Sequence, residues 1–227
     1  MCANSERSTF PAMNKILILA LVVLAYSSAY SQSFLSGFGL EVGGGHNQLF
    51  WSAPAQYLSP NSSTTANRTD LSFTPTIRVN YKWDIAPWLT LSPFIGYSQF
   101  GGKDKQPNGY QDQFWFDAIE LGLFGLYPVQ DFSFGFGMKA NYHLKVTGRY
   151  FGSFDQTTSA NAYWHEVDQT DYYTRWSGDA GARASYRYDH FTFSFDAWFG
   201  ITHLQQGLLS HATIRENQFR VLVGYTL

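Results

Sequence analysis

Histidine, serine and carboxylate side chains are where catalysis would be sought in this 227-residue chain, and their spacing supports little of it. His143 lies in "FSFGFGMKANYHLKVTGRY" (132–150), but two and four residues further on stand Lys145 and Thr147, which complete neither a metal pair nor an acid–base pair. A hydrogen-bonded, structural imidazole is the expectation. Ser210 and His211 are adjacent, and neighbours along a loop do not face each other as a nucleophile and its base must. His46, His165, His203 and His211 fall in or beside long polar segments, together with Asp155, Glu166 and Asp168, without metal-ligand spacing, and His190 sits in a short turn. "GFGLEVGGG" (37–45) has the glycines of a phosphate loop but no helix after it. No catalytic residue, metal site or cofactor is expected.

The denser chemistry is ionic. Glu41, Arg78, Lys82, Glu120, Lys139, Asp179, Arg183, Asp196 and Arg220 all occupy one parity of alternating apolar and polar runs, as do Lys145, Arg149, Arg175 and Arg187. Glu41, Arg78, Glu120, Lys139, Asp179, Arg183 and Asp196 are placed to meet midway along their segments. Charges that meet away from water must pair, because an unpaired one costs several kcal/mol. The expectation is a salt-bridge network, with a selective cationic path as its rival.

The elements that carry these charges are strands. Eight runs alternate with period two: 34–45, 71–83, 89–100, 115–127, 132–150, 175–188, 191–202 and 217–227. In 71–83, Leu71, Phe73, Pro75, Ile77, Val79, Tyr81 and Trp83 oppose Ser72, Thr74, Thr76, Arg78, Asn80 and Lys82. In 132–150 the apolar parity runs from Phe132 to Val146, and the stretch beyond His143 is expected to rise into a loop. Short connections ("DIAP", "PVQD", "DH") alternate with long ones at 46–70, 101–113, 151–174 and 203–215. That rhythm describes an up-and-down meander whose last strand pairs with its first. Pro75 and Pro93 each lack a ladder donor and belong at strand ends or bulges.

The polar parity must look inward. It is rich in glycine, including Gly39, Gly96, Gly122, Gly137, Gly181 and Gly224, and a watered strand face gives glycine no packing role. A narrow interior does, because small residues must stand beside large ones. The apolar parity carries bulky residues at nearly every position and would overfill a small lumen. Trp83, Trp88, Tyr127, Phe132, Tyr186, Tyr188, Phe191 and Tyr225 cluster beside the short turns as an aromatic girdle, and Tyr97, Trp115, Tyr142 and Trp176 lie nearer the long loops. Two aromatic bands flanking an aliphatic belt fit a lipid-facing exterior. Inside lipid a β-chain satisfies its backbone only as a closed barrel. The fold class expected is all-β, a closed eight-stranded antiparallel up-and-down transmembrane β-barrel. A soluble lipocalin-like barrel is the alternative.

Composition agrees. Aromatics make up 19% and charged residues 14% of the chain, against about 25% charged in a soluble domain. With 15 Lys+Arg against 17 Asp+Glu there is no cationic footprint for nucleic acid. Residues 13–32, "MNKILILALVVLAYSSAYSQ", carry Lys15, an apolar run at 16–26 too short to span a bilayer, and the small pair Ala29 and Ser31. The expectation is an export signal over 1–31, with Met13 as the expected start, and one barrel domain over 32–227. Cys2, the one cysteine, falls in the removed part and precedes the apolar run, so neither a disulfide nor a lipid anchor is expected.

With these residues in view, the exported chain resembles the small OmpA/OmpX-type outer-membrane barrels, and "AYSQ" ahead of the first strand resembles their Bacteroidota-type members. The resemblance implies periplasmic short turns, extracellular long loops and a Gram-negative outer-membrane location. It implies a last strand read by the assembly machinery, matched here by Phe219, Val221, Val223 and Tyr225, whereas Leu227 stands where the family ends in an aromatic. In such a setting "NSS" at Asn61 and "NRT" at Asn67 match the glycosylation pattern by chance. Outer-membrane lipids or lipopolysaccharide, the assembly machinery and an extracellular ligand at the loops are the partners expected, with no nucleic acid. Loop 151–174, acidic and aromatic, is the candidate ligand surface. The role expected is structural or surface-interacting, without catalysis. A small porin-like channel for small or hydrophobic solutes and an outer-membrane lipid-modifying enzyme are the alternatives.

Overall fold

A computed structural model of the chain describes residues 37–52, 69, 72–105, 111–152, 163–204 and 213–227. The expected export signal lies outside the described residues, as do Cys2, Asn61, Asn67, Asp155, Ser210, His211 and the side chain of His165. The alternating runs form β1 (Phe38–Ser52), β2 (Ser72–Tyr81), β3 (Trp83–Ala86), β4 (Leu89–Lys105), β5 (Gln111–Val129), β6 (Phe132–Gly152), β7 (Tyr163–Asp168), β8 (Trp176–Tyr188), β9 (Phe191–Gly200) and β10 (Thr213–Thr226). Each pairs antiparallel with its neighbours, and β10 returns to β1 in register from Gly39–Thr226 to Ser52–Thr213. β3 continues β2 along β4, and β7 pairs with the far end of β6. The ten strands are therefore eight staves of a closed transmembrane-type barrel, and closure leaves the sheet without an open edge.

Side-chain direction follows the expected parity along most of each stave. In β2, Ser72, Thr74, Thr76, Arg78 and Asn80 are buried, while Phe73, Pro75 and Val79 are exposed. In β6, Phe132, Phe134, Phe136 and Met138 all stand on the outside, Phe136 with 79% of its surface free. The girdle residues Trp83, Trp88, Tyr127, Phe132, Tyr186, Tyr188, Phe191 and Tyr225 are exposed around the short-turn end. Those turns are tight: Gln130 and Asp189 take left-handed conformations, with φ of 55° and 53°.

Neither proline ends its strand: Pro75 lies within β2 opposite Gly44 and Pro93 within β4 opposite Leu123, and each sits where pairing stops on its other side only. Pro75 is one residue beyond Thr76, at which the β2–β4 ladder ends. Pro93 faces the gap between β2 and β3: Asn80 pairs with Phe94 and Trp83 with Leu91, but Tyr81 and Lys82 form no ladder pair with β4. A proline cannot donate there, so the pairing breaks and one stave is split into two strands.

Three expectations need correcting. The strands run further at the long-loop end: β1 continues through 46–52, and the supposed loop 101–113 is mostly β4 and β5. Second, β6 does not leave the barrel after His143, which is fully buried in it. Third, the parity of β6 changes. Asp117 pairs with Lys145 but Ala118 with His143, so Leu144 is an extra residue, a β-bulge. Beyond it Val146 turns inward, fully buried, and Lys145 turns outward. Val146 is thus not part of the outer face, and Lys145 is not in the interior.

Candidate functional site

Two cross-strand pairs begin the interior network. Glu41 of β1 stands opposite Arg78 of β2, and Arg183 of β8 opposite Asp196 of β9. Arg78 Nε donates to Glu41 Oε2 at 2.5 Å, and Arg183 Nε to Asp196 Oδ1 at 2.9 Å. The second arm of each guanidinium crosses the barrel: Arg78 Nη2 reaches Asp196 Oδ2 at 2.7 Å, and Arg183 Nη2 reaches Glu41 Oε2 at 2.6 Å. Two cations and two carboxylates alternate around a closed, charge-neutral ring, with no side chain more than 2% exposed.

A second cluster is centred on Glu120. Arg220 grips it with both terminal nitrogens (2.7 and 2.8 Å), Lys139 Nζ lies 2.5 Å away, and Ser98 Oγ donates at 2.7 Å. Lys139 also reaches Asp179 Oδ2 at 3.2 Å and Gln218 Oε1 at 2.9 Å. Asn141 Nδ2 joins Ser177, Asp179 and Glu216. Lys82, half-buried, is linked to Thr192 Oγ1 at 3.2 Å. The structure thus brings eight of the nine interior charges named above into two ion-pair clusters.

Four other cations assigned to the inner parity do not enter. Lys145 is displaced by the bulge. Arg149, half-exposed, pairs with Glu166, while Arg175 lies outside near Asp171 and Arg187 is exposed at the short-turn end. The bulge turns Lys145 and Arg149 outward, whereas Arg175 and Arg187 keep the inner parity but lie past the region where walls enclose the lumen.

Between the two clusters lies an aromatic layer that alternation alone does not reveal. Phe94, Phe124 and Trp198 point inward, 3%, 0% and 0% exposed, with ring centroids 4.9–6.0 Å apart. The guanidinium carbons of Arg78 and Arg183 each sit 4.8 Å from a ring centroid, over Phe94 and Phe124, and Lys139 Nζ is 5.1 Å from that of Trp198. Each ring lies across a glycine directly opposite in register: Phe94 over Gly122, Phe124 over Gly137, Trp198 over Gly181. A Cβ at those glycines would fall 2.4–2.5 Å from the ring. Glycine on the inner face therefore marks the seat of a large cross-strand neighbour.

Towards the long-loop end, Leu49, Phe100, Phe116, Ala118, Val146 and Leu204 form a buried apolar cluster, with Phe114, Tyr173 and Ile214 packed on it. His143 stands beneath, edge-on to Phe100 and Phe116. Its Nδ1 is 2.5 Å from the Thr174 carbonyl and its Nε2 is 3.1 Å from Ser177 Oγ, so it is a hydrogen-bonded imidazole. Beyond, Thr170 donates to Asp168 Oδ1 from its hydroxyl and its amide, which holds the Asp168 carboxyl below its ordinary range. His46 belongs to β1, with its ring against Phe73, and His203 is exposed. Among the described residues no three His, Cys, Asp or Glu side chains are placed to hold a metal.

No protein-family model matches the chain, and no curated protein matches its sequence. Among solved structures it is similar to Neisserial surface protein A, with a TM-score of 0.51 at 11% identity, over 85% of this chain and 98% of that one. The fold is that of a small eight-stranded outer-membrane barrel. Two further similar structures are the attachment invasion locus protein Ail of Yersinia pestis (TM-score 0.47, 8% identity, 85% and 100% covered) and the outer membrane protein OprG of Pseudomonas aeruginosa (TM-score 0.40, 9% identity, 85% and 97% covered).

Proposed function

We propose that the chain is an integral outer-membrane barrel whose interior is sealed by its own side chains and which acts, without catalysis, as a structural or surface-interacting protein. The observation that carries this reading is the stack of interior layers. The Glu41–Arg78–Asp196–Arg183 ring, the Phe94–Phe124–Trp198 layer and the Glu120 cluster follow one another with almost no free surface. Eight staves enclose a space just wide enough for side chains to fill. A continuous water path past these layers would separate ion pairs whose loss costs several kcal/mol.

The apolar outside supports the membrane placement, because in water such a belt of exposed Phe, Val and Leu would drive aggregation. Outer-membrane lipid or lipopolysaccharide is the contact this surface fits. The long-loop end carries the surface role, its mouth filled by Leu204 and Tyr173. The Bacteroidota-type resemblance, recognition of β10 by the assembly machinery and an extracellular ligand belong to the same reading.

Planar-bilayer recording tests it. The intact protein is expected to insert without a reproducible conductance step, while membrane fractions retain it and unheated samples migrate as a compact band. A stable open channel overturns the sealed interior and favours the small-channel alternative. Recovery of the folded protein from the soluble fraction overturns the membrane reading.

A further inference from the structure

The buried charges of the interior do not balance where Asn141, Asp179 and Glu216 meet. Among the described residues, four cations (Arg78, Arg183, Lys139 and Arg220) and five carboxylates (Glu41, Asp196, Glu120, Asp179 and Glu216) are buried. The ring at Glu41 uses two cations for two carboxylates and is neutral. The remaining pair, Lys139 and Arg220, faces Glu120, Asp179 and Glu216. Arg220 spends both terminal nitrogens on Glu120, and Lys139 is nearest the same carboxylate. Asp179 receives one long contact from Lys139, 3.2 Å, and Glu216 has no cation within ion-pairing distance. With all five carboxyl groups ionised, one negative charge is left over in a dry interior, which would cost several kcal/mol if nothing answered it. Lys82, a further half-buried cation, is turned to Thr192 at the short-turn side.

The oxygens that could hold a counter-cation lie where these three residues meet. Asn141 Nδ2 lies 2.9 Å from Asp179 Oδ2 and 3.1 Å from Glu216 Oε1, which draws the two carboxyl groups together. The other oxygen of each, Asp179 Oδ1 and Glu216 Oε2, accepts no hydrogen bond, and neither does Asn141 Oδ1. All three residues are at most 1% exposed. Buried acceptors without a donor are rare in folded proteins, and a bound ion or water is one way in which they are satisfied. Two carboxylates and an amide oxygen are hard donors, which suit a small hard cation. A divalent ion would turn the surplus of one negative charge into a surplus of one positive charge. A monovalent ion brings the cluster to neutrality. His143 does not touch either carboxylate: its nitrogens face Thr174 O and Ser177 Oγ, and its ring faces Phe100 and Phe116.

We propose that the barrel interior holds one monovalent metal cation between Asp179, Glu216 and Asn141, as a structural ion of the Glu120 cluster. Crystals of the full exported chain soaked in rubidium chloride provide the direct test. An anomalous peak in contact with Asp179 and Glu216 is expected, and it is expected to vanish in Glu216→Gln. Thermal unfolding in detergent gives the second readout, at fixed pH and ionic strength, in sodium, potassium or choline chloride. The transition is expected to fall in choline for the wild-type protein and to be indifferent to the cation in Glu216→Gln. If that variant does not fold, the wild-type crystal alone decides. Density without anomalous signal, which a water would give, overturns the proposal. So does stability that ignores the choice of cation and follows pH alone, because then a proton on the carboxyl pair or on His143 supplies the missing charge.

Discussion

Arg183→Met isolates the contribution of the crossing ring. The side chain makes two ion pairs, 2.6 Å to Glu41 and 2.9 Å to Asp196, and its guanidinium lies over Phe124. Methionine preserves the stem and its contact with the ring while deleting the charge. What remains is Arg78 between two carboxylates, a buried group with one negative charge too many. Removing one partner of a buried pair costs about 3–5 kcal/mol, most of it from the charge left behind. Urea unfolding in lipid vesicles, followed by tryptophan fluorescence and by gel migration, is expected to show a loss of that size. Adding Asp196→Asn removes the surplus charge while leaving an oxygen for Arg78, and is expected to recover more than half of the loss. Arg187→Met, on the exposed continuation of β8, is the control, with an expected change within about 0.5 kcal/mol. A loss below about 1 kcal/mol for Arg183→Met, or a double variant no better than the single one, refutes the reasoning that the ring is a buried strut.

Two further predictions address geometry. Gly122→Ala places a Cβ 2.4 Å from the Phe94 ring, and is expected to cost about 1–3 kcal/mol of unfolding free energy, with much of it recovered when Phe94→Leu is added. Lys145→Cys in whole cells or vesicles is expected to react with a polar maleimide, whereas Val146→Cys is expected to resist it until the protein is denatured; the opposite order would remove the bulge at Leu144.

The barrel was legible because alternation and turn lengths are local properties, and β2, from Ser72 to Tyr81, shows both parities cleanly. The ionic interior was legible for the same reason, since Glu41, Arg78, Arg183 and Asp196 keep the inner parity of their strands. What alternation hides is any place where it is broken or shared. Leu144 adds one residue to β6 and reverses the direction of everything after it, so Lys145 and Val146 exchange sides. Phe94, Phe124 and Trp198 sit among outward aromatics in sequence, and only register shows that Gly122, Gly137 and Gly181 open space for them. Glu216 lies before the run read as the last strand at 217–227. β10 begins at Thr213, and Glu216 is as buried as the charges that were named.

The ring also has a history in time. Its crossing bonds join residues 118 and 142 positions apart, and Arg220 to Glu120 spans 100. None of these can form while the sheet is an open ribbon, because their partners then sit on strands far apart in the row. Only when β10 meets β1 do the arginines find their second carboxylates. A half-closed sheet therefore carries unsatisfied charges on the face that must become its interior, and gains little from partial curling. Bonds made only after closure stabilise the finished barrel without lowering the barrier to reach it, and so act mainly on the rate of opening. The same side chains that fill the lumen thus set how long a barrel, once shut, stays shut.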